Sequence, residues 1–198
     1  MSMIENSNGR FDAIVIGASA GGVEAIAALL PALSPQLQAA VFIVIHQPRE
    51  RPSLLVDILK DRCVLPVQEA QDKEMVQRGR VYVAPPDYHL LLDTGPQLAL
   101  SVDEPVEYSR PSIDVLFESA ADLYAERLLG IILTGGNQDG AAGLAAVHRE
   151  GGTTIVQSPE DAQIPHMPEA ALKRHPADYV LPLEQMTRLL HTLDRSTT

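Results

Sequence analysis

Short, unbroken apolar runs alternate with segments of helical period along this chain, and that alternation limits the folds open to it. DAIVIG at 12–17, VFIVI at 41–45, LGIILT at 129–134 and TTIVQ at 153–157 read as buried strands. The segment Gly21–Leu33, residues 53–62, SIDVLFESAADLYAERL at 112–128, Asp139–Arg149, Pro168–Lys173 and 184–194 read as helices. Strands that alternate with helices predict βαβ units, and so a doubly wound, mainly parallel α/β sheet with helices on both faces. The middle departs from this rhythm. RVYVAPP at 80–86, YHLLLD at 88–93 and QLALSV at 97–102 are short and punctuated by Pro85-Pro86-Asp87 and Thr94-Gly95-Pro96. They predict an inserted β-hairpin or meander. We expect one domain over 12–193, with tails at 1–11 and 194–198.

Composition narrows the function. The formal net charge of −11 disfavours nucleic acid, which needs clustered Lys and Arg, and a polybasic membrane anchor. The single cysteine, Cys63, cannot make an intrachain disulfide and reads as a buried, inert thiol. No run reaches the ~18 apolar residues of a membrane span. The N-terminal residues lack the basic and apolar regions of a signal peptide, so the expected compartment is the cytoplasm.

VIGASAGGVEAI runs from strand through a glycine-rich turn into a helix. A dinucleotide site would need glycine where Ser19 stands and a carboxylate after the next strand, which instead ends in Ile45-His46-Gln47. A phosphate loop would need a Lys-Ser or Lys-Thr pair. The alternative is a nucleophile: Gly17-Ala18-Ser19-Ala20-Gly21 fits G-x-S-x-G, a serine on a tight turn flanked by small residues. Ser19 could equally serve as a helix N-cap.

A serine nucleophile needs a base, and the base needs an orienting acid. In parallel sheets functional groups gather at the carboxyl ends of strands. His46 follows VFIVI directly, and no other histidine ends a central strand. Asp139 follows LGIILT through a glycine-rich turn; it is also a good N-cap for the helix that begins there. The order Ser, His, Asp differs from that of α/β-hydrolases. No H-x-x-x-H, C-x-x-C or dense Asp cluster points to a metal, and no cofactor is expected.

IVIGASAGGVEAI, VIHQP, VYVAPPDYHLLL, RPSIDVLF, ILTGGNQDGAAGL, GGTTIVQ and MPEAAL, in this order, resemble successive blocks of the CheB-type protein-glutamate methylesterase catalytic domain over about residues 12–193. The resemblance implies a serine hydrolase of glutamate methyl esters on chemoreceptor signalling helices, with deamidation of glutamines as a related activity. It implies Ser19 as nucleophile, His46 as general base and acid, Asp139 as orienting acid, and backbone N–H groups at Ala20 and Gly136 as oxyanion donors. Three departures stand out. No phosphoreceiver domain precedes residue 12, which predicts constitutive activity. Gly136 stands where the family has methionine. Gln-Pro-Arg-Glu follows His46 in place of a Pro-Pro-Gly-Phe-like turn. Arg49, Arg51 and Arg110, in loops beside the motifs, are candidate docking residues for a methyl-accepting receptor or related chemosensory protein; they could also be solvated surface charges. Two other readings stay open: a non-catalytic signalling scaffold, and an esterase with a different substrate.

Overall fold

The computed structural model describes residues 11–46 and 54–193. In chain order the elements are β1 (Ala13–Ala18), α1 (Gly22–Leu29), β2 (Ala40–Ile45), α2 (Leu55–Lys60), β3 (Val67–Glu69), β4 (Val81–Val83), β5 (His89–Asp93) and β6 (Gln97–Ser101). They continue with α3 (Ile113–Tyr124), β7 (Leu128–Ile132), α4 (Ala141–Arg149), β8 (Thr153–Gln157), α5 (His166–Arg174), β9 (Tyr179–Leu181) and α6 (Leu183–Thr192). Seven strands form a parallel sheet in the order β3-β4-β2-β1-β7-β8-β9.

β1, β2 and β7 are buried at every position. Strands apolar on both faces need a covering layer on each side. Ile14, Ile16 and Ile43 point into one layer, against Ile26 and Leu29 of α1, Leu59 of α2 and Leu190 of α6. Val15 and Phe42 point into the other, against Leu116 and Phe117 of α3, Val147 of α4 and Met167 of α5. The β5–β6 hairpin is antiparallel and adds Leu90 and Leu98 to this second layer.

From β1 the chain moves outward through β2 to the β3–β4 edge, then returns to place β7 on β1's other side. The helix after β1 covers one face of the sheet and the helix after β7 covers the other. The crevice beyond the carboxyl ends of β1 and β7 is therefore the topological switch point, where such sheets hold their functional groups.

Two glycines shape this crevice. A Cβ on Gly17 would lie 2.3 Å from Cγ2 of Ile113, so only glycine lets the start of α3 sit against the end of β1. A Cβ on Gly143 would lie 2.6 Å from Cβ of Phe117 and 2.9 Å from Cα of Asp114; its absence lets α4 press on the first turns of α3.

Some expectations change. RVYVAPP does not join the hairpin: Val81–Val83 pairs in parallel with β2 and β3 inside the main sheet. The Gly21–Leu33 helix stops at Leu29, and Leu30–Ala32 is a 3-10 turn containing Pro31, whose missing N–H cannot continue the α-helical ladder. Phe11, expected at the end of a tail, is buried in the core beside β1. Cys63 is half-buried, and that burial pushes its thiol above the ordinary value. No helix among the described residues is long and apolar enough to cross a membrane.

Candidate active site

The three strand ends converge. Ser19 follows β1, His46 follows β2, and Thr134 to Asp139 follow β7. Register brings them together: Ala18 pairs with Ile45, so Ser19 and His46 are the next residues on adjacent strands. The His46 N–H donates to Ala18 O at 3.2 Å, and the Ser19 N–H donates to Thr134 O at 3.0 Å.

Asp139 is completely buried, yet every polar atom of its carboxylate is used. Oδ1 accepts from the Ser112 hydroxyl at 2.8 Å and the Asp114 N–H at 3.0 Å. Oδ2 accepts from the Ile113 N–H at 2.7 Å and from Nε2 of His46 at 2.7 Å. Ile113 and Asp114 open α3, whose first N–H groups have no partner inside the helix. A carboxylate belongs at that positive end of the helix dipole. Asp139 thus caps α3, and Gly140 is the N-cap residue of α4.

Asp114 returns the favour. Its Oδ1 accepts from Gly140 N–H at 2.9 Å and Gly143 N–H at 2.6 Å, at the start of α4. The two helices exchange carboxylates at their N-termini, and the exchange locks the Asp139 loop. Burial pushes the Asp114 carboxyl up to about 6, helped by the nearby Asp139 charge and opposed by the Gly143 and Gly140 N–H groups. An unfolded aspartate titrates near 3.9, so the unfolded chain loses this proton first as pH rises. Asp114 therefore costs stability on the order of 2–3 kcal/mol between about pH 4 and 6, and nothing further above. Asp114→Asn keeps an acceptor for both glycines. Its stability relative to the parent should rise across that pH window and level off above it, measured by urea unfolding. A pH-independent difference would remove Asp114 as the titrating group.

The Asp139 carboxylate can only accept, so Nε2 of His46 is the donor, and in the neutral ring Nδ1 carries the lone pair. The Asn137 amide nitrogen lies 3.3 Å from it and also donates to Ser109 Oγ at 3.3 Å. Asn137 Oδ1 is buried without a hydrogen-bond partner among the described residues. The Ser19 hydroxyl, half-buried, likewise makes no hydrogen bond among them. The structure therefore joins His46 to Asp139, and sets Ser19 beside them with its hydroxyl uncommitted.

Thr134 ties the two glycine-rich loops together. Its hydroxyl donates to Ala20 O at 2.9 Å and accepts from the Ile164 N–H at 2.9 Å, while its own N–H donates to Gln157 Oε1 at 2.9 Å. The Ala20 and Gly136 N–H groups, both in exposed residues, have no acceptor among the described residues.

Arg110 does not present a free cation. Nε and Nη2 donate to Asp87 Oδ1 at 3.1 and 2.8 Å, and Nη1 donates to the carbonyls of Val102 and Asp103 at 2.8 and 3.0 Å. Arg110, the expected docking cation, clamps the base of the 102–110 loop. Its charge is already neutralised by Asp87. Arg49 and Arg51 lie outside the described residues. Among the described residues no group of three or more His, Cys, Asp or Glu is placed to hold a metal ion.

Sequence reasoning missed Ser112, Asp114, Thr134 and Asn137. Ser112 alone carried a local signal, a serine just before an apolar-periodic run. Its hydroxyl both caps α3, accepting from Val115 N–H at 3.4 Å, and donates to Asp139. Behind it, buried His89 accepts the Ser112 N–H at 3.1 Å.

Fold and site together define a doubly wound α/β protein with a histidine–carboxylate pair at its switch point. A family model described as CheB methylesterase matches residues 14–190, and the chain belongs to that family. A protein of Leptospira interrogans is 44% identical over 187 residues, covering 94% of this chain and 97% of its own. A protein of Clostridium acetobutylicum named protein-glutamate methylesterase/protein-glutamine glutaminase is 33% identical, covering 91% of this chain and 52% of its own. This chain spans about half the length of such relatives. The crystal structure of the Thermotoga maritima CheB methylesterase catalytic domain superposes with a TM-score of 0.84 at 32% identity, covering 90% of this chain and 98% of that one.

Proposed function

We propose that this protein hydrolyses the γ-methyl esters of glutamate side chains on chemoreceptor signalling helices, and that the same site deamidates glutamines. The observation that carries the reading is the 2.7 Å contact between His46 Nε2 and fully buried Asp139, beside the Ser19 turn. Family membership and the names of the relatives support the substrate class.

The chemistry is acyl transfer. The Ser19 hydroxyl attacks the ester carbonyl and passes its proton to Nδ1 of His46; the Asn137 amide gives up that lone pair as the serine engages. Asp139 holds the ring orientation and offsets the imidazolium charge. The carbonyl oxygen, now negative, takes hydrogen bonds from the Ala20 and Gly136 N–H groups. The C–O bond breaks, methanol leaves with the proton from Nδ1, and an acyl-enzyme remains. Water then attacks, loses its proton to Nδ1, and releases the glutamate as Ser19 regains a proton. With glutamine the leaving group is ammonia.

Arg49 and Arg51 are proposed contacts for the receptor. Arg110 contributes by holding its loop. The test is methanol release from a methylated chemoreceptor fragment. The purified chain should release methanol stoichiometric with the methyl groups. Hydrolysis of a small methyl ester without any release from the receptor fragment would assign the enzyme another substrate.

A further inference from the structure

The reacting groups sit at an open surface. Ala20 and Gly136 are exposed, and Ser19 is half-buried. A site of this shape takes a side chain projecting from a larger body, so contacts around the rim must decide which body docks. Among the described residues, Ile164 and Tyr108 are apolar side chains that stand exposed beside the Asp139 loop. Ile164 is 37% exposed; its carbonyl accepts from Gly135 N–H, and a Cβ on Gly136 would lie 4.0 Å from its Cγ2. Tyr108 is 98% exposed.

Tyr108 sits on an unusual support. Val106 and Ser109 exchange both backbone hydrogen bonds, at 3.1 and 2.8 Å, closing a two-residue turn. Its central residues, Glu107 and Tyr108, have φ of 47° and 62°. Both are left-handed, as in the hairpin turns that favour Asn-Gly or Asp-Gly. A glutamate and a tyrosine are disfavoured in that conformation, and residues held so tend to cluster at ligand clamps. The turn is held from both sides. Glu107 Oε2 accepts from Gln138 Nε2 at 2.8 Å, and Ser109 Oγ accepts from Asn137, the residue on Nδ1 of His46. Arg110 clamps its base. A rigid platform fastened to the Asp139 loop therefore lifts one aromatic ring into solvent beside the proposed catalytic groups.

We propose that the 106–109 turn is the docking element for the protein helix that carries the ester, with Tyr108 as its anchor and Ile164 as a second apolar contact. The inference rests on the glutamyl methylesterase reading above. Apolar anchoring suits this pair of partners. The chain is acidic overall, and its product adds a carboxylate to the substrate at each turnover, so an uncharged contact keeps its strength as demethylation proceeds. Aromatic side chains are also the usual dominant contacts of protein interfaces.

The experiment compares a methylated helical receptor fragment with N-acetylglutamate γ-methyl ester amide, which is too short to reach the turn. Tyr108→Ala should lower kcat/KM on the fragment about tenfold, mainly through KM, and change turnover of the small ester less than twofold. Tyr108→Phe should restore the fragment activity to within twofold of the parent. Parental activity of Tyr108→Ala on the fragment would overturn the docking role, as would equal losses on both substrates. Failure of the parent itself on the fragment, with the small ester still cleaved, would instead overturn the reading of the substrate.

Discussion

Ser19→Ala should reduce kcat for methyl-ester hydrolysis by three orders of magnitude or more and leave the melting temperature unchanged. The first half follows from the proposed mechanism. A nucleophile removed from a set that acts as a unit leaves only binding and oxyanion stabilisation, worth a small residue of the rate. The second half follows from the structure. The Ser19 hydroxyl has no hydrogen-bond partner among the described residues, so its deletion orphans nothing. The turn is held by backbone: Ser19 N–H on Thr134 O, and Gly22 N–H on Ser19 O at 2.8 Å. Alanine keeps both. Kinetics on a methylated substrate and a thermal melt, run on the same preparation, decide the matter. Activity within tenfold of the parent would remove Ser19 from the chemistry. A large fall in melting temperature would show instead that the hydroxyl is structural.

The sequence showed the frame of this site more clearly than its wiring. β1, β2 and β7 were legible because a central strand of a parallel sheet is apolar on both faces, and each ran uninterrupted into a polar or glycine-rich turn. Ser19 and His46 could be singled out because they follow their strands directly, and Asp139 because it closes the glycine-rich turn after β7. β4 was grouped with the hairpin because Val81–Val83 is short and followed by two prolines, and its partner β2 lies some forty residues earlier in the chain. β3 was missed for the same reason: Val67–Glu69 offers only three residues, one of them apolar. The wiring was hidden by distance along the chain. Asp139 looked like a cap for its own helix, but its acceptors serve N–H groups of Ile113 and Asp114 on α3. Asp114, inside the segment predicted as a helix, caps α4. Each half of that exchange is an ordinary capping interaction, and only the packing of α3 on α4 makes them reciprocal.

Asp139→Asn should then fail in a way Ser19→Ala does not, losing catalysis and stability together. Four donors converge on the Asp139 carboxylate: the Ser112 hydroxyl, the Ile113 and Asp114 N–H groups, and His46 Nε2. An amide of the same shape offers one acceptor oxygen and an NH2 group. If the oxygen stays with Ser112 and Asp114, the NH2 faces the Ile113 N–H and His46. If it turns the other way, the NH2 faces the Asp114 N–H. Either orientation sets donor against donor in a site with no access to water. A buried donor without a partner costs about 1–3 kcal/mol, and more where the lost partner was charged. The helix dipole of α3 also loses its counter-charge. A destabilisation of roughly 3–5 kcal/mol in urea unfolding is expected. The effect on rate comes from the histidine. An NH2 facing Nε2 favours the tautomer with its proton on Nδ1, which leaves no lone pair to receive the Ser19 proton. A loss of about 10³–10⁴ in kcat follows from the wrong tautomer alone. The ¹⁵N resonances of the His46 ring report this directly: the proton should reside on Nε2 in the parent and move to Nδ1 in the variant where the NH2 group faces Nε2. A variant as stable as the parent would contradict the capping role. A variant that lost stability but kept both the parental tautomer and most of its activity would show that Asp139 serves the fold alone.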